Sequence, residues 1–186
     1  MKKVYIIHGW GAEPHHDWFP WLAAELKKLG YQVIVPTMPD TDEPVISRWV
    51  ESLADIVGRP NHETFFVGHS IGVQAILRYL ETIKTPVGGA VFVAGWFNLD
   101  NLEDEEAEDI ARPWLETPIN MEKVKKNLPR SSLIISDNDP FGCFEENKQK
   151  FAELGSKIIV LSGAGHIGKS DGFTKLPPVI DELAGF

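Results

Sequence analysis

Six short apolar runs, separated by stretches with helical periodicity, constrain the fold of this chain more than any other feature of its 186 residues. The runs are Lys3–His8, Gln32–Pro36, Thr64–Gly68, Ala90–Ala94, Ser132–Ser136 and Lys157–Leu161. Most are continuously apolar, as strands are when both faces of their sheet are covered. Helical patterns occupy Trp18–Leu29, Val45–Val57, Ile71–Ile83, Glu145–Leu154 and Pro177–Leu183. This alternation predicts an α/β fold with a mostly parallel sheet of about six strands and helices on both faces.

The length of the chain and the lack of any flexible linker predict a single domain over residues 1–186. Residues 96–129 interrupt the alternation, since they are acidic in their first half and contain Pro113, Pro118 and Pro129. We interpret this stretch as an insertion with short helices that could act as a partial lid. A full cap domain is not expected.

Charge and composition exclude several classes of function. The net charge of −9, with only 18 Lys and Arg residues, argues against a nucleic-acid partner. No apolar run approaches the length of a membrane span, and Val4–Ile7 is too short for the core of a secretion signal. The one cysteine, Cys143, rules out an internal disulfide and fits a reducing compartment, so we predict a cytoplasmic location.

The segment Gly68-His69-Ser70-Ile71-Gly72 carries the clearest chemical signal. It lies between a predicted strand and a predicted helix, and G-x-S-x-G in that context is a nucleophile elbow. The serine occupies a strained turn that exposes its hydroxyl, and the glycines remove side chains that would collide with neighbouring backbone. Ser70 is therefore the candidate nucleophile.

A serine nucleophile needs a histidine base and an acid that orients it, which follow in the order Ser, Asp or Glu, His. His166 is the only histidine after Ser70, and it follows the last predicted strand. Asp137 and Asp139 both follow the preceding strand and compete for the acid's role. Because Pro140 biases the residue before it toward an extended conformation, we favour Asp139 for the triad and Asp137 for the turn.

The oxyanion hole requires two backbone N–H groups, one of them directly after the nucleophile. We assign that one to Ile71 and the second to Trp10, in the loop after the first strand, with Gly11 as the alternate. His8, at the end of that strand, is expected to support the turn rather than to react.

The substrate pocket is predicted less sharply, because large aromatic residues pack in cores as readily as they contact ligands. The candidates are Gly11, His69, Trp96, Phe97 and Trp114. No metal site is expected, since His15-His16-Asp17 lacks the spacing of a metal-binding motif. Cys143 has no base of its own, because the available histidine serves Ser70.

The segments HGWG, GHSIG, DNDPF and GAGH together resemble the α/β-hydrolase superfamily. More narrowly, the chain is similar to the small serine hydrolases typified by retinoblastoma-binding protein nine and the bacterial YdeN proteins. This resemblance implies a compact α/β-hydrolase fold, a triad of Ser70, Asp139 and His166, and no cofactor. Full-size α/β-hydrolases have about eight strands and often a cap domain, so a reduced version of the fold is expected.

These observations lead to the hypothesis of a serine hydrolase that cleaves small carboxylic esters through an acyl-enzyme. Thioesters and small peptides or amides are alternative substrates of the same mechanism. A different class is a protein-interaction module on a hydrolase scaffold with weak activity, since fold alone does not fix function. An exposed apolar patch around Trp96 and Trp114 would favour that alternative.

Overall fold

Six strands form one sheet in the computed structural model, which describes all 186 residues. In chain order they are β1 (Lys3–Ile7), β2 (Gln32–Ile34), β3 (Thr64–His69), β4 (Gly89–Val93), β5 (Ser131–Ser136) and β6 (Lys157–Leu161). Their order across the sheet is β2-β1-β3-β4-β5-β6, and every neighbouring pair is parallel. The predicted α/β class with a six-stranded parallel sheet is confirmed.

Seven helices accompany the sheet. They are α1 (Phe19–Lys28), α2 (Ile46–Val57), α3 (Ile71–Leu80), α4 (Glu105–Glu116), α5 (Met121–Asn127), α6 (Phe144–Leu154) and α7 (Pro177–Ala184). None of them combines the length and the apolar character that crossing a bilayer requires. Both α4 and α5 lie between β4 and β5, within the stretch where the sequence predicts short helices.

Helices cover both faces of the sheet, and alternate side chains of each strand point to opposite faces. On one side, Val4 and Ile6 of β1 pack with residues of α1 and α7. On the other, Tyr5 and Ile7 pack with residues of α2 to α6. The two edge strands are less covered, and Val160 of β6 is 45% exposed. Continuous apolar character therefore indicates full burial only for the four inner strands.

The acidic run after residue 102 forms the start of α4. Asp104 caps this helix, since its Oδ1 accepts a hydrogen bond from the N–H of Ala107 at 2.8 Å. Glu105, Glu106 and Glu108 occupy the first turn, where negative charge complements the helix dipole. The acidic run therefore stabilises the N-terminus of α4.

Candidate active site

Ser70 occupies the sharp turn between β3 and α3. Its backbone has φ 53° and ψ −123°, a region that a residue with a side chain adopts at a cost of about 1–3 kcal/mol. Two backbone hydrogen bonds hold this conformation: the Ser70 N–H donates to Val93 O at 3.0 Å, and Val73 N–H donates to Ser70 O at 2.9 Å. The turn is thereby fixed to the neighbouring strand and to the first turn of α3.

The two glycines of the turn are required by close backbone approach. A Cβ on Gly72 would lie 2.5 Å from the carbonyl oxygens of both Ile7 and His8. A Cβ on Gly68 would lie 3.0 Å from the backbone of Val73. Only glycine lets α3 start this close to the end of β1.

His166 and Asp139 meet in the loops that follow β6 and β5. His166 Nδ1 lies 2.7 Å from Asp139 Oδ2, and the two side chains are 18% and 11% exposed. The other carboxylate oxygen, Asp139 Oδ1, accepts from the N–H of Phe141 at 3.0 Å. The hydrogen bond from Phe141 therefore fixes the carboxylate of Asp139, and its Oδ2 orients the imidazole of His166.

Asp137 contacts a different part of the same loop. Its carboxylate accepts from Ser162 Oγ at 2.7 Å and from the N–H of Gly163 at 2.8 Å. These hydrogen bonds lower the pKa of Asp137, the one from Gly163 most strongly. Asp137 thus ties the two loops together and does not contact His166.

Ser136 and Asn138 extend this connection and were not singled out by the sequence analysis. Ser136 Oγ accepts from the N–H of Ala164 at 3.0 Å, and Asn138 Oδ1 accepts from the N–H of Gly165 at 2.8 Å. Together with Asp137, three consecutive side chains bind three consecutive amides directly before His166. The run of short polar residues after a buried strand was the available signal, since Ser, Asp and Asn favour such side chain-to-backbone bonds.

The amides predicted for the oxyanion hole differ in their hydrogen bonding. Ile71 begins α3, so its N–H has no acceptor within the helix. The Trp10 N–H makes no hydrogen bond, whereas the Gly11 N–H donates to Thr41 O at 2.8 Å. Ile71 and Trp10 both line the same cavity as Ser70. Of the two alternatives, Trp10 has the available amide and Gly11 does not.

His8 is fully buried and supports the loop after β1. Its Nε2 accepts from the N–H of Met38 at 3.0 Å, so its Nδ1 carries the proton and donates to Gly9 O at 2.8 Å. Burial lowers the pKa of His8 and favours this neutral form.

His69, the residue before the candidate nucleophile, holds the backbone of the candidate base. Its Nε2 lies 2.9 Å from the carbonyl oxygen of His166, which can only accept, so Nε2 carries the proton. Burial, with a smaller effect from the nearby His166, lowers the pKa of His69 to about 4. Its Nδ1 is buried without a partner. His69 is therefore a neutral positioning group.

One cavity, of about 400 Å³, is lined by the candidate nucleophile and the candidate base, and we call it the catalytic cavity. Ser70, His166, Ile71 and Trp10 line it, together with His69 and Trp96 from the predicted pocket. Ser70 Oγ accepts a long hydrogen bond of 3.4 Å from Trp96 Nε1 and has none with His166 in this resting arrangement. Catalytic hydrogen bonds are often loose before substrate binds.

The remaining pocket candidates lie elsewhere. Gly11 lines neither this cavity nor the second one, and Phe97 and Trp114 line the second. Leu99, Leu102, Glu103 and Ala107 of the stretch between β4 and β5 form one wall of the catalytic cavity instead. These residues lie in a loop and at the start of α4, so sequence periodicity alone does not predict that they face one cavity.

Cys143 lies outside the catalytic cavity and is not poised to react. Its thiol donates to Asp100 Oδ2 at 3.1 Å, and burial together with this carboxylate raises the pKa of Cys143 to about 11. A thiol in that state is a weak nucleophile.

Comparison with known proteins settles the family. The family model described as serine hydrolase matches residues 4–185. The chain therefore belongs to the serine hydrolase family. YdeN of Bacillus subtilis is 29% identical to it over 188 residues, covering 100% of this chain and 96% of YdeN. The serine hydrolase RBBP9 of Rattus norvegicus is 27% identical over 185 residues, covering 97% of this chain and 95% of RBBP9.

Solved structures agree with this membership. The crystal structure of the Bacillus subtilis ydeN gene product superposes with a TM-score of 0.91 at 28% identity, covering 100% of this chain and 98% of that one. A predicted hydrolase from Thermoplasma acidophilum shares the fold, with a TM-score of 0.71 at 19% identity over 100% of this chain and 87% of that one. The reduced α/β-hydrolase fold that the resemblance implied is confirmed.

Proposed function

We propose that this serine hydrolase cleaves small carboxylic esters through a Ser70-His166-Asp139 triad and an acyl-enzyme. The observation that carries the proposal is the 2.7 Å contact between His166 Nδ1 and Asp139 Oδ2, with His166 and Ser70 lining one cavity. We further propose that the protein acts in the cytoplasm, on the strength of its single cysteine.

In this mechanism Ser70 Oγ attacks the acyl carbon while His166 Nε2 takes its proton. Asp139 holds the imidazole with Nε2 toward the nucleophile and stabilises the imidazolium that forms. The amides of Ile71 and Trp10 bind the oxygen of the tetrahedral intermediate, where donors are worth several kcal/mol each. His166 then gives the proton to the leaving alcohol, and a water molecule activated by the same nitrogen releases the acid.

Substrate binding must move Ser70 Oγ away from Trp96 and toward His166. The 3.4 Å bond from Trp96 Nε1 is long, so it opposes this rotation only weakly. A cavity of about 400 Å³ lies at the small end of ligand pockets, which favours compact acyl groups. Thioesters and small amides fit the same mechanism as alternative substrates.

The interaction-module alternative gains no support from its expected surface. Trp96 is 3% exposed and Trp114 is 1% exposed, so they form no apolar patch for a partner. An ester substrate is therefore the proposed partner of this site.

The proposal is tested with a chain-length series of p-nitrophenyl esters. We expect the shortest esters to give the highest kcat/KM, and Ser70→Ala to lower it by about 10⁴-fold or more because the nucleophile is gone. The matched control is Ser170→Ala, which removes the other serine hydroxyl that lines the cavity. Turnover that survives in folded Ser70→Ala would show that another group performs the reaction.

A further inference from the structure

A second cavity, of about 290 Å³, lies among α3, α5, α6 and the end of α4. We call it the interhelical cavity. Its apolar wall consists of Phe97, Trp114, Leu115, Ile119, Met121 and Leu154. This volume is near the lower bound for small-molecule sites, about 300 Å³, and suits a ligand built around one ring.

Arg78 places a buried positive charge in the wall of this cavity. The residue is only 3% exposed, and one terminal nitrogen donates to the carbonyl oxygens of Trp114 and Thr117, each at 2.8 Å. No carboxylate forms an ion pair with it, and the nearby Glu81 only partly offsets the lowering of the Arg78 pKa by burial. Its Nε is buried with no acceptor. A buried cation left in this state is costly unless an anion compensates it.

Gln74 lies one turn before Arg78 on the same face of α3. It is 1% exposed, and its Nε2 donates to Trp96 O at 2.5 Å. That bond directs the amide oxygen away from Trp96, and Gln74 Oε1 has no donor. Gln74 Oε1 and Arg78 Nε both have almost no accessible surface, so a ligand in the cavity reaches neither of them. Arg78 Nη1, which makes no hydrogen bond, is the guanidinium nitrogen left for a ligand.

The mouth of the cavity is positively charged. Lys125 of α5 and Lys150 of α6 line it, and Glu153 is the one carboxylate among its lining residues. Glu153 Oε1 already accepts from Gln149 Nε2 at 2.9 Å, and Lys125 forms only an exposed contact of 3.6 Å with Glu122. In a chain of net charge −9, three cations around one small cavity favour an anionic occupant.

We propose that the interhelical cavity binds a small organic carboxylate with an apolar body. Arg78 and the two lysines hold the carboxylate, and the aromatic and aliphatic wall covers the body. This site is separate from the catalytic cavity, and its occupation does not depend on Ser70.

The test compares three related probes by isothermal titration calorimetry. Mandelate has the ring, carboxylate and hydroxyl, phenylacetate lacks the hydroxyl, and mandelamide lacks the charge. We expect saturable binding of both acids, because each carries the ring and the carboxylate, and no detectable binding of mandelamide. Mandelamide binding as tight as mandelate binding would overturn the proposal, and so would a lack of saturable binding by both acids.

Variants assign the site. Lys125→Gln with Lys150→Gln should weaken mandelate binding by about three- to tenfold, since two exposed charges at the mouth are removed. The matched control is Lys123→Gln with Lys126→Gln, which makes the same charge change at exposed positions of α5 outside the cavity. Equal affinities of the two double variants would contradict the proposal. Arg78→Met should abolish binding. If that buried change prevents folding, the two lysine double variants still test the proposal.

The location is read from tryptophan indole signals in ¹H–¹⁵N spectra of the wild type. Trp114 lines the interhelical cavity and Trp10 lines only the catalytic one. Mandelate should shift the Trp114 signal and leave the Trp10 signal in place. The reverse pattern would mean that the acid binds the catalytic cavity, and the proposal would then be wrong.

Discussion

The two cavities of this protein differ in charge and in how their walls are assembled. The catalytic cavity is lined by Asp17, Glu103 and Asp171, with no lysine or arginine. The interhelical cavity is lined by three cations and a single carboxylate. Acidic walls repel anions and basic walls attract them. The difference in charge therefore predicts that the two cavities prefer ligands of opposite charge.

The two cavities also differ in origin. The proposed catalytic groups follow the carboxyl ends of β3, β5 and β6, which lie along one edge of the sheet. The interhelical cavity is built from side chains of several helices on one face of the sheet. The first arrangement is dictated by strand order, whereas the second depends on how helices pack.

The largest expected effect separates the two aspartates after β5. Asp139→Asn should lower kcat for a p-nitrophenyl ester by about 10⁴-fold, because an amide neither stabilises the imidazolium nor fixes its tautomer. Asp137→Asn makes the same change two residues earlier and should cost no more than about tenfold, or 1.4 kcal/mol. Steady-state kinetics check both values. Equal losses in the two variants would remove the assignment of the acid.

The same two variants also test whether the two cavities are separate binding sites. Mandelate binding should be unchanged in both, because neither aspartate lines the interhelical cavity. A loss of mandelate binding in Asp139→Asn would mean that the two sites are one.

A smaller effect concerns stability on the catalytic side. The folded pKa of His69, about 4, lies below its unfolded value of about 6.5, so the unfolded chain binds more protons between these values. The contribution of the neutral His69 to the free energy of unfolding is therefore complete above pH 6.5. It falls by roughly 3 kcal/mol as the pH drops to 4. Denaturant titrations across this range should show a shallower fall in His69→Gln, which has no charge to gain.

The exposed His62→Gln serves as its control and should retain the steep dependence of the wild type. His166 and Asp139 face His69, and they are unchanged in both variants. If His69→Gln lost stability as steeply as the wild type, the buried neutral imidazole would not be the cause.

The smallest expected effect tests the acidic wall. Glu103→Gln should raise kcat/KM for an anionic ester, p-nitrophenyl hemisuccinate, about twofold at low salt and leave a neutral ester unchanged. Glu106→Gln changes the same charge outside the cavity and should have no effect. A gain for both esters in Glu103→Gln would indicate altered packing rather than charge.

The sequence predicted the parts of this protein that depend on local chemistry and strand order. Alternating runs predicted the sheet, and the flanking glycines indicated Ser70 as the candidate nucleophile, because both signals are short in range. The preference for Asp139 over Asp137 came from Pro140, and the structure places Asp139 against His166. The contacts of Ser136 and Asn138 involve residues 27 or 28 positions away, so no local pattern contains them.

The pocket was predicted least well, for a physical reason. Trp96, Phe97 and Trp114 are all large aromatic residues after β4, yet Trp96 lines one cavity while the other two line the second. Which cavity each ring lines depends on the packing of α3, α4 and α6. Composition and periodicity carry no information about that packing.

The proposed mechanism depends on activation of Ser70 as a nucleophile by His166. It is tested most directly by labelling with a fluorophosphonate, with the modified residue mapped by mass spectrometry in the wild type, Ser70→Ala and His166→Gln. We expect a single adduct on Ser70, none in Ser70→Ala, and labelling slowed by about 10³-fold or more in His166→Gln. An adduct on another residue, or Ser70 labelling that is equally fast without His166, would contradict it.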